Sequence, residues 1–159
     1  MRVTSPEKRL AELGIELPEL PKAAGIYRSS KRSGDLVYVS GHVPAGFDPA
    51  IPVIGQVGKE LTPEEGTEAA RLTALCILAS LRSDLGSLDR ITQIIKVFGM
   101  VKCAPGFNRT PDIINGASAL LIDIFGVDAG SHARSAIGVA ELPFGMAVEI
   151  EMIIEVEQS

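Results

Sequence analysis

The 159-residue chain has few aromatic residues and few of the residues that bind metals or form disulfides. It contains no tryptophan, and aromatic residues make up only 4%, so its core must consist of valine, isoleucine, leucine and alanine. Its two histidines and two cysteines are too scattered for a zinc site. Cys76 and Cys103 form no CxxC motif, a pattern that favours a reducing cytoplasm. We therefore predict a cytoplasmic protein without a metal or cofactor.

The chain also lacks long apolar runs, an apolar leader and an excess of positive charge. No stretch reaches the roughly 18 consecutive apolar residues of a membrane span, and residues 1–6 lack the apolar segment of a signal peptide. Lysine and arginine total 15 against 20 acidic residues, a net charge of −5, which disfavours nucleic-acid binding. Yet 46% of residues are hydrophobic. A chain of this length with so large an apolar fraction is expected to bury part of its apolar surface against further copies of itself.

Helix signals divide the chain. Residues 1–24 are predicted to form an N-terminal arm, with a short helix capped by Ser5 and ending near Gly14. Residues 25–159 form one domain by length. Thr62-Pro-Glu-Glu65 is a capping box that predicts a helix to Leu85, stopped by Gly86. A second helix is predicted from Thr110-Pro111 to Gly126, since apolar residues recur there at helical spacing.

The remaining segments alternate as strands do. Two are predicted to form a hairpin around residues 33–35, a third carries a glycine that suggests a bulge, and the last two are joined by a Pro-Gly turn that allows a hairpin. The five strands are Ile26–Ser30, Leu36–Ser40, Ile91–Cys103 (bulge at Gly99), Ser135–Val139 and Val148–Val156. The order ββαβαββ predicts an α+β fold, a mixed sheet with both helices on one face.

Arg134 and Glu149 begin the last two strands and are the first candidates for chemistry. An arginine fork suits a carboxylate, and a glutamate can move protons to and from water. If the strands form a hairpin, the two residues meet only when the strand ends are offset, or across a subunit boundary. The alternative is an exposed ion pair at the sheet edge, which would contribute little to the stability of the fold.

Three stretches in order resemble one known family. They are Gly25-Ile-Tyr-Arg-Ser29, Leu36-Val-Tyr-Val-Ser-Gly-His-Val-Pro44, and Ala133-Arg-Ser135 followed by Val139-Ala-Glu-Leu-Pro143 and Val148-Glu-Ile-Glu151. Together they resemble the RidA (YjgF, L-PSP) family of reactive intermediate deaminases. The resemblance implies a chorismate-mutase-like fold, a homotrimer with clefts between subunits, and hydrolysis of enamines or imines such as 2-aminoacrylate to 2-oxo acids and ammonia.

The resemblance also assigns roles. Arg134 matches the arginine that binds the substrate carboxylate, and Glu149 matches the glutamate that places the attacking water. Tyr27, Ser40 and Gly41 match residues that line the same cleft. Arg134 of one subunit is then expected to face Tyr27 of its neighbour. The apolar sheet face of the trimer is predicted to include Ile94, Phe98 and Met100.

The chain departs from the family pattern in ways that bear on its substrate. Ala136 replaces the usual cysteine, Ile26 and Ser29 alter the tyrosine motif, and Asn115 has an unexpected spacing to Arg134. His42 replaces a glutamine and is interpreted as a hydrogen-bonding residue at a strand end, whereas His132 is expected to be exposed. Two other functions stay open: a trimeric sensor of small carboxylates without turnover, and an endoribonuclease or translation inhibitor, which the net charge disfavours.

Overall fold

The computed structural model of the protein describes residues 5–20 and 25–158. It confirms the α+β class and the ββαβαββ order, preceded by the predicted N-terminal helix. The helices and strands are α1 (Pro6–Glu12), β1 (Ser30–Ser33), β2 (Leu36–His42), α2 (Pro63–Leu85), β3 (Ile91–Lys102), α3 (Thr110–Gly130), β4 (Ala133–Val139) and β5 (Val148–Val156).

The helix α2 begins and ends where the sequence predicts. The Thr62 hydroxyl accepts from the Glu65 backbone N–H at 3.2 Å, and the Glu65 carboxylate accepts from the Thr62 N–H at 2.8 Å. Such a cap stabilises a helix by about 1 kcal/mol. At the other end Gly86 adopts a left-handed conformation with φ 84°. Buried residues run along most of α2, because the helix packs against both the sheet and α3.

The five strands form one mixed sheet in the order β1-β2-β5-β3-β4. The hairpin of β4 with β5 that the turn would allow does not form. The crossover through α3 returns the chain beside β3, so β4 pairs with β3 in parallel, and β5 then enters between β2 and β3 in antiparallel pairing. The hairpin of β1 with β2 is confirmed and turns at Gly34, which has φ 61°.

Helices cover one face of the sheet but not the other in the described part of the chain. One face packs against α2 and α3. Alternate residues of β5 are buried on this face: Val148, Ile150, Met152, Ile154 and Val156. The opposite face has no element over it in the described part of the chain. Phe98 and Met100 lie on it half-buried, and Ile137 is 43% exposed. Ile94 does not belong there: a bulge between Ile94 and Lys96 turns it into the core, where it is 2% exposed.

Two predicted strand details are wrong for local reasons. Residues 26–29 are not a strand: the pairing of β1 with β2 begins at Ser30, opposite Val39. Gly99 is not a bulge but pairs in register on both sides. A Cβ on Gly99 would lie 2.6 Å from the Cδ1 atom of Ile114, so glycine is needed there for α3 to pack closely.

The helix α3 extends beyond its predicted end. Gly126 interrupts the helical backbone with φ 80° and ψ 167°, and a short helical segment then continues to Gly130. By length and composition alone α3 is apolar enough to cross a membrane, but half of the tested 18-residue window is buried inside the protein. Ile114, Leu121 and Ile124 belong to the shared core, as expected for a core helix.

Candidate functional site

Arg134 is held by α3. The Nη1 atom donates to Asn115 Oδ1 at 2.8 Å and to Ser118 Oγ at 3.0 Å, and Nη2 donates to the Pro111 carbonyl at 3.2 Å. No other described residue hydrogen-bonds to this guanidinium, so Nε–H and one Nη2 hydrogen are left for a ligand. The unexpected spacing of Asn115 therefore does not separate it from Arg134. The parallel crossover lays the first turns of α3 over the start of β4.

His132 belongs to the same cluster. Its Nδ1 lies 2.7 Å from the Gly130 carbonyl, which can only accept, so Nδ1 carries a hydrogen. In the neutral ring Nε2 then accepts from the Ser118 hydroxyl at 2.9 Å. Burial, with a smaller contribution from Arg134, lowers the pKa of His132 and favours this neutral form. The expectation of an exposed histidine is wrong, since the ring is half-buried between two partners.

Glu149 lies on the uncovered face of β5, against Gly41 of β2. A Cβ on Gly41 would collide with the Glu149 carboxylate, so the carboxylate occupies the space that glycine leaves. Burial first, and then the nearby Glu151, raise the pKa of Glu149. A carboxyl group with a raised pKa exchanges protons more readily near neutral pH. This arrangement fits the predicted role in proton transfer.

A single chain does not bring Arg134 and Glu149 together. Arg134 points towards α3, whereas Glu149 lies on the opposite face of the sheet. Along the pairing, Glu149 is level with Met100 and Ile137, three residues beyond Arg134 on β4. Two strand spacings and three residues separate the two positions by roughly 10 Å in each direction. A site that uses both residues therefore needs two chains.

Of the other predicted site residues, two lie at a cavity between β2 and α2. Tyr27 and Gly41 line a cavity of about 560 Å³, and Tyr27 is 56% exposed. Ser40 does not line it: its hydroxyl donates to the Arg28 carbonyl at 2.7 Å, and its own carbonyl accepts from His42. The walls of the cavity are Pro18, Leu20, Tyr27, Ser29, Gly41, His42, Val43, Ala45, Cys76, Ala79, Ser80, Ser83, Asp84, Phe144 and Met146.

His42 connects the strand β2 to the cavity. Its Nδ1 donates to the Ser40 carbonyl at 2.7 Å, and its Nε2 lies 2.7 Å from the Ser80 hydroxyl. Burial lowers the pKa of His42, against smaller opposing effects of Ser40 and Asp84. The prediction of a hydrogen-bonding residue at a strand end is confirmed. The sequence prediction missed Ser80 and Asp84, although Cys76, Ser80 and Asp84 recur at intervals of four residues on α2.

The surroundings of the two cysteines disfavour the nucleophilic thiolate. Cys76 donates to the Ala45 carbonyl, and burial raises the pKa of its thiol to about 11. Burial also raises the pKa of Cys103. At the position of the family cysteine, Ala136 only offers its carbonyl to the Thr110 hydroxyl, at 3.1 Å. Residues 5–20 and 25–158 contain no group of three or more histidine, cysteine or acidic side chains that could hold a metal ion.

Known proteins resemble this chain over nearly its whole length. Residues 7–155 match the family described as "YjgF/chorismate mutase-like, putative endoribonuclease". Protein TCP17 of Trypanosoma cruzi is 41% identical over 146 residues, covering 92% of this chain and 91% of TCP17.

Two crystal structures share the fold. Atu1372 of Agrobacterium tumefaciens, a protein with unknown function, is 40% identical with a TM-score of 0.83, covering 96% of this chain and 92% of Atu1372. A "putative endoribonuclease" of Shewanella oneidensis MR-1 is 33% identical with a TM-score of 0.89, covering 96% of this chain and all of that one. The chain therefore belongs to the YjgF/chorismate-mutase-like family.

Proposed function

We propose that this protein hydrolyses reactive 2-imino acids to 2-oxo acids and ammonia, at sites shared between neighbouring copies of the chain in a homotrimer. The observation that carries the proposal is the half-buried Glu149 carboxylate, which is held against Gly41 and has a raised pKa. Beside it a cavity opens towards Tyr27. This half of the site supplies a proton-transfer group but no cation for the substrate carboxylate.

Arg134 of the neighbouring chain supplies the missing cation. Its Nε–H and remaining Nη2 hydrogen suit the two oxygens of a carboxylate, because guanidinium binds carboxylates as a planar fork. Asn115, Ser118 and Pro111 already fix the guanidinium. The imine is thereby oriented with little further loss of side-chain freedom.

The reaction then needs one water and one proton shuttle. Glu149 accepts a proton as the water oxygen bonds to the imine carbon, and it passes this proton to the nitrogen. The product is a tetrahedral intermediate that carries a hydroxyl and an amino group. Glu149 then transfers the hydroxyl proton to the amino nitrogen, the C–N bond breaks, and ammonia leaves as the carbonyl of the 2-oxo acid forms.

The uncovered sheet face is the surface that brings the copies together. Phe98, Met100 and Ile137 form its apolar part, and no described element of the same chain covers them. Burying this face against a second copy removes apolar surface from water, which favours association. β4 is the edge strand of the sheet, so we infer that this association brings Arg134 of one chain near Glu149 of the next.

The test couples the protein to an enzyme that generates 2-aminoacrylate and follows the release of pyruvate. The wild type is expected to accelerate pyruvate release. Arg134→Ala and Glu149→Gln should each lower the acceleration by roughly 100-fold. Arg109→Ala and Glu157→Gln serve as matched controls, because they remove exposed charges outside the site. Absence of acceleration with several imino acids would rule out the proposal.

A sensor of small carboxylates is the second candidate, and the self-contained support of Arg134 favours it. The guanidinium is fixed without Glu149, so the chain could bind a carboxylate without turning it over. Calorimetry with pyruvate, 2-oxobutyrate and benzoate separates the two functions. Binding that Arg134→Ala abolishes, combined with no turnover of any imine, identifies a sensor, whereas turnover identifies the hydrolase.

A further inference from the structure

The polar part of the 560 Å³ cavity is built from hydrogen-bond donors that are already engaged. His42 gives its Nδ1 hydrogen to the Ser40 carbonyl, which leaves Nε2 as an acceptor in the neutral ring. Ser80 must then donate its hydroxyl hydrogen to Nε2, at 2.7 Å. Ser80 is a nearly buried residue that lines the cavity, and its oxygen therefore has only lone pairs left for a ligand.

At the next turn of α2, hydroxyl hydrogens are again already engaged in hydrogen bonds. Asp84 Oδ2 accepts from the Ser29 hydroxyl at 2.9 Å and from the Ser30 hydroxyl at 2.6 Å. Both serine hydrogens are thereby engaged. One turn before Ser80, Cys76 donates its thiol hydrogen to the Ala45 carbonyl. A ligand that enters along α2 thus meets the lone pairs of Ser29, Ser80 and Cys76 and a negative charge at Asp84.

The apolar part of the cavity suits a positive charge as well. Tyr27 and Phe144 line the cavity and are 56% and 73% exposed, so their rings are open to a ligand. The face of an aromatic ring attracts cations, and guanidinium stacks on it well. The described residues that line the cavity include no lysine or arginine to compete for Asp84.

We propose that this cavity binds the cationic, hydrogen-bond-donating end of a ligand, a guanidinium or primary ammonium group, through Asp84, Ser80 and the two aromatic rings. The proposal extends the proposed function, since it makes the substrate an imino acid whose side chain ends in such a group. Gly41 lines the cavity and contacts the Glu149 carboxylate, so the reacting end of such a substrate would lie at Gly41.

Calorimetry with three simple probes of similar size tests the charge preference. Butylguanidinium carries the cation, butylurea keeps a similar shape without the charge, and valerate carries an anion. None of the three contains an imine, so the result does not depend on whether the protein hydrolyses imines. The probes are added to the Arg134→Ala variant, which lacks the proposed carboxylate-binding group, and the expected order of affinity is butylguanidinium, then butylurea, then valerate.

Three variants locate the binding. Asp84→Asn keeps an acceptor for Ser29 and Ser30 but removes the charge, and it should weaken butylguanidinium binding at least about 10-fold. Ser80→Ala should weaken it by roughly fivefold. Asp128→Asn makes the same change in charge at an exposed position of α3 and should leave the affinity unchanged. Thermal melting checks that each variant is folded.

Several results would overturn the proposal. One is valerate binding as tightly as butylguanidinium in the Arg134→Ala variant, and another is equal weakening by Asp84→Asn and Asp128→Asn. A third is no detectable heat with butylguanidinium at roughly 10 mM, a concentration at which even a millimolar dissociation constant would register.

Discussion

Gly41 and Glu149 face each other across β2 and β5, and the glutamate carboxylate fills the place of the side chain that glycine lacks. The φ of Gly41 is not positive, so its backbone conformation does not call for glycine. Steric room for the carboxylate does. This relationship makes Gly41 a positioning residue for Glu149.

Gly41→Ala should therefore destabilise the fold by about 1–3 kcal/mol, because the added methyl overpacks against the carboxylate. In a Glu149→Ala background the same substitution should cost much less, since the space is then open. Denaturant unfolding of the two single variants and the double variant measures the coupling. Additive effects would show that the methyl group is accommodated without moving Glu149.

Mixed oligomers provide a test of the two-chain site. Arg134→Ala and Tyr27→Ala are each expected to lower imine hydrolysis strongly, Arg134→Ala by roughly 100-fold, because each removes part of a different half of the site. Mixing and exchanging the subunits should restore part of the activity, since some sites then receive both intact halves. Pyruvate release from 2-aminoacrylate measures the recovery. A monomer in sedimentation at micromolar concentration would contradict the two-chain site. A lack of recovered activity after verified subunit exchange would contradict it too.

His42 should make stability depend on pH. Burial lowers its pKa in the folded state below the unfolded value of 6.5, so between these two values the unfolded chain binds more protons. The free energy of unfolding therefore falls as the pH falls through this window, by at most about 1.4 kcal/mol per pH unit. His42→Gln should flatten the slope in denaturant unfolding between about pH 7 and 5.

Glu149 contributes with the opposite sign. Its pKa is raised above 4.5, so its contribution to stability is present at low pH and is lost as the pH rises through the folded value. The comparison of His42 with glutamine is therefore best made in a Glu149→Gln background. An unchanged slope in that background would show that His42 does not titrate in the window.

An ion pair fastens α1 to the rest of the domain. Arg82 donates to the Glu7 carboxylate through Nε at 3.1 Å and through Nη2 at 2.6 Å, and the Leu88 N–H donates to the same carboxylate at 3.0 Å. Glu7→Ala should lower the free energy of unfolding by about 1 kcal/mol, since the pair is partly exposed. Lys8→Ala, which removes an exposed pair with Glu12, is the control and should change it little.

Local signals made the helices predictable. The Thr62 capping box and Gly86 define α2 through contacts within a few residues, so the sequence alone contains the information. The sheet is different. The parallel pairing of β4 depends on how α3 packs over β3, and a turn-like segment at residues 141–145 says nothing about that packing.

The site was predicted in part for the same reason. Arg134, Glu149, Tyr27 and Gly41 could be identified because they stand in sequence motifs. Asn115, Ser118, Ser80 and Asp84 lie on helices, and only the packing of those helices brings them to the motif residues. A regular four-residue interval along α2 was the one signal available for Ser80 and Asp84.

Because α3 holds Arg134, dissociation of the subunits on dilution would leave each part of the proposed site in place on its own chain. Each chain carries a finished arginine half, fixed by its own helix, and a finished glutamate half, shaped by its own glycine. Separated subunits would lose activity while keeping both halves intact. Reassociation would then restore function at the rate of subunit encounter, without any refolding step, and a substitution in α3 would impair a site that belongs mostly to the neighbour.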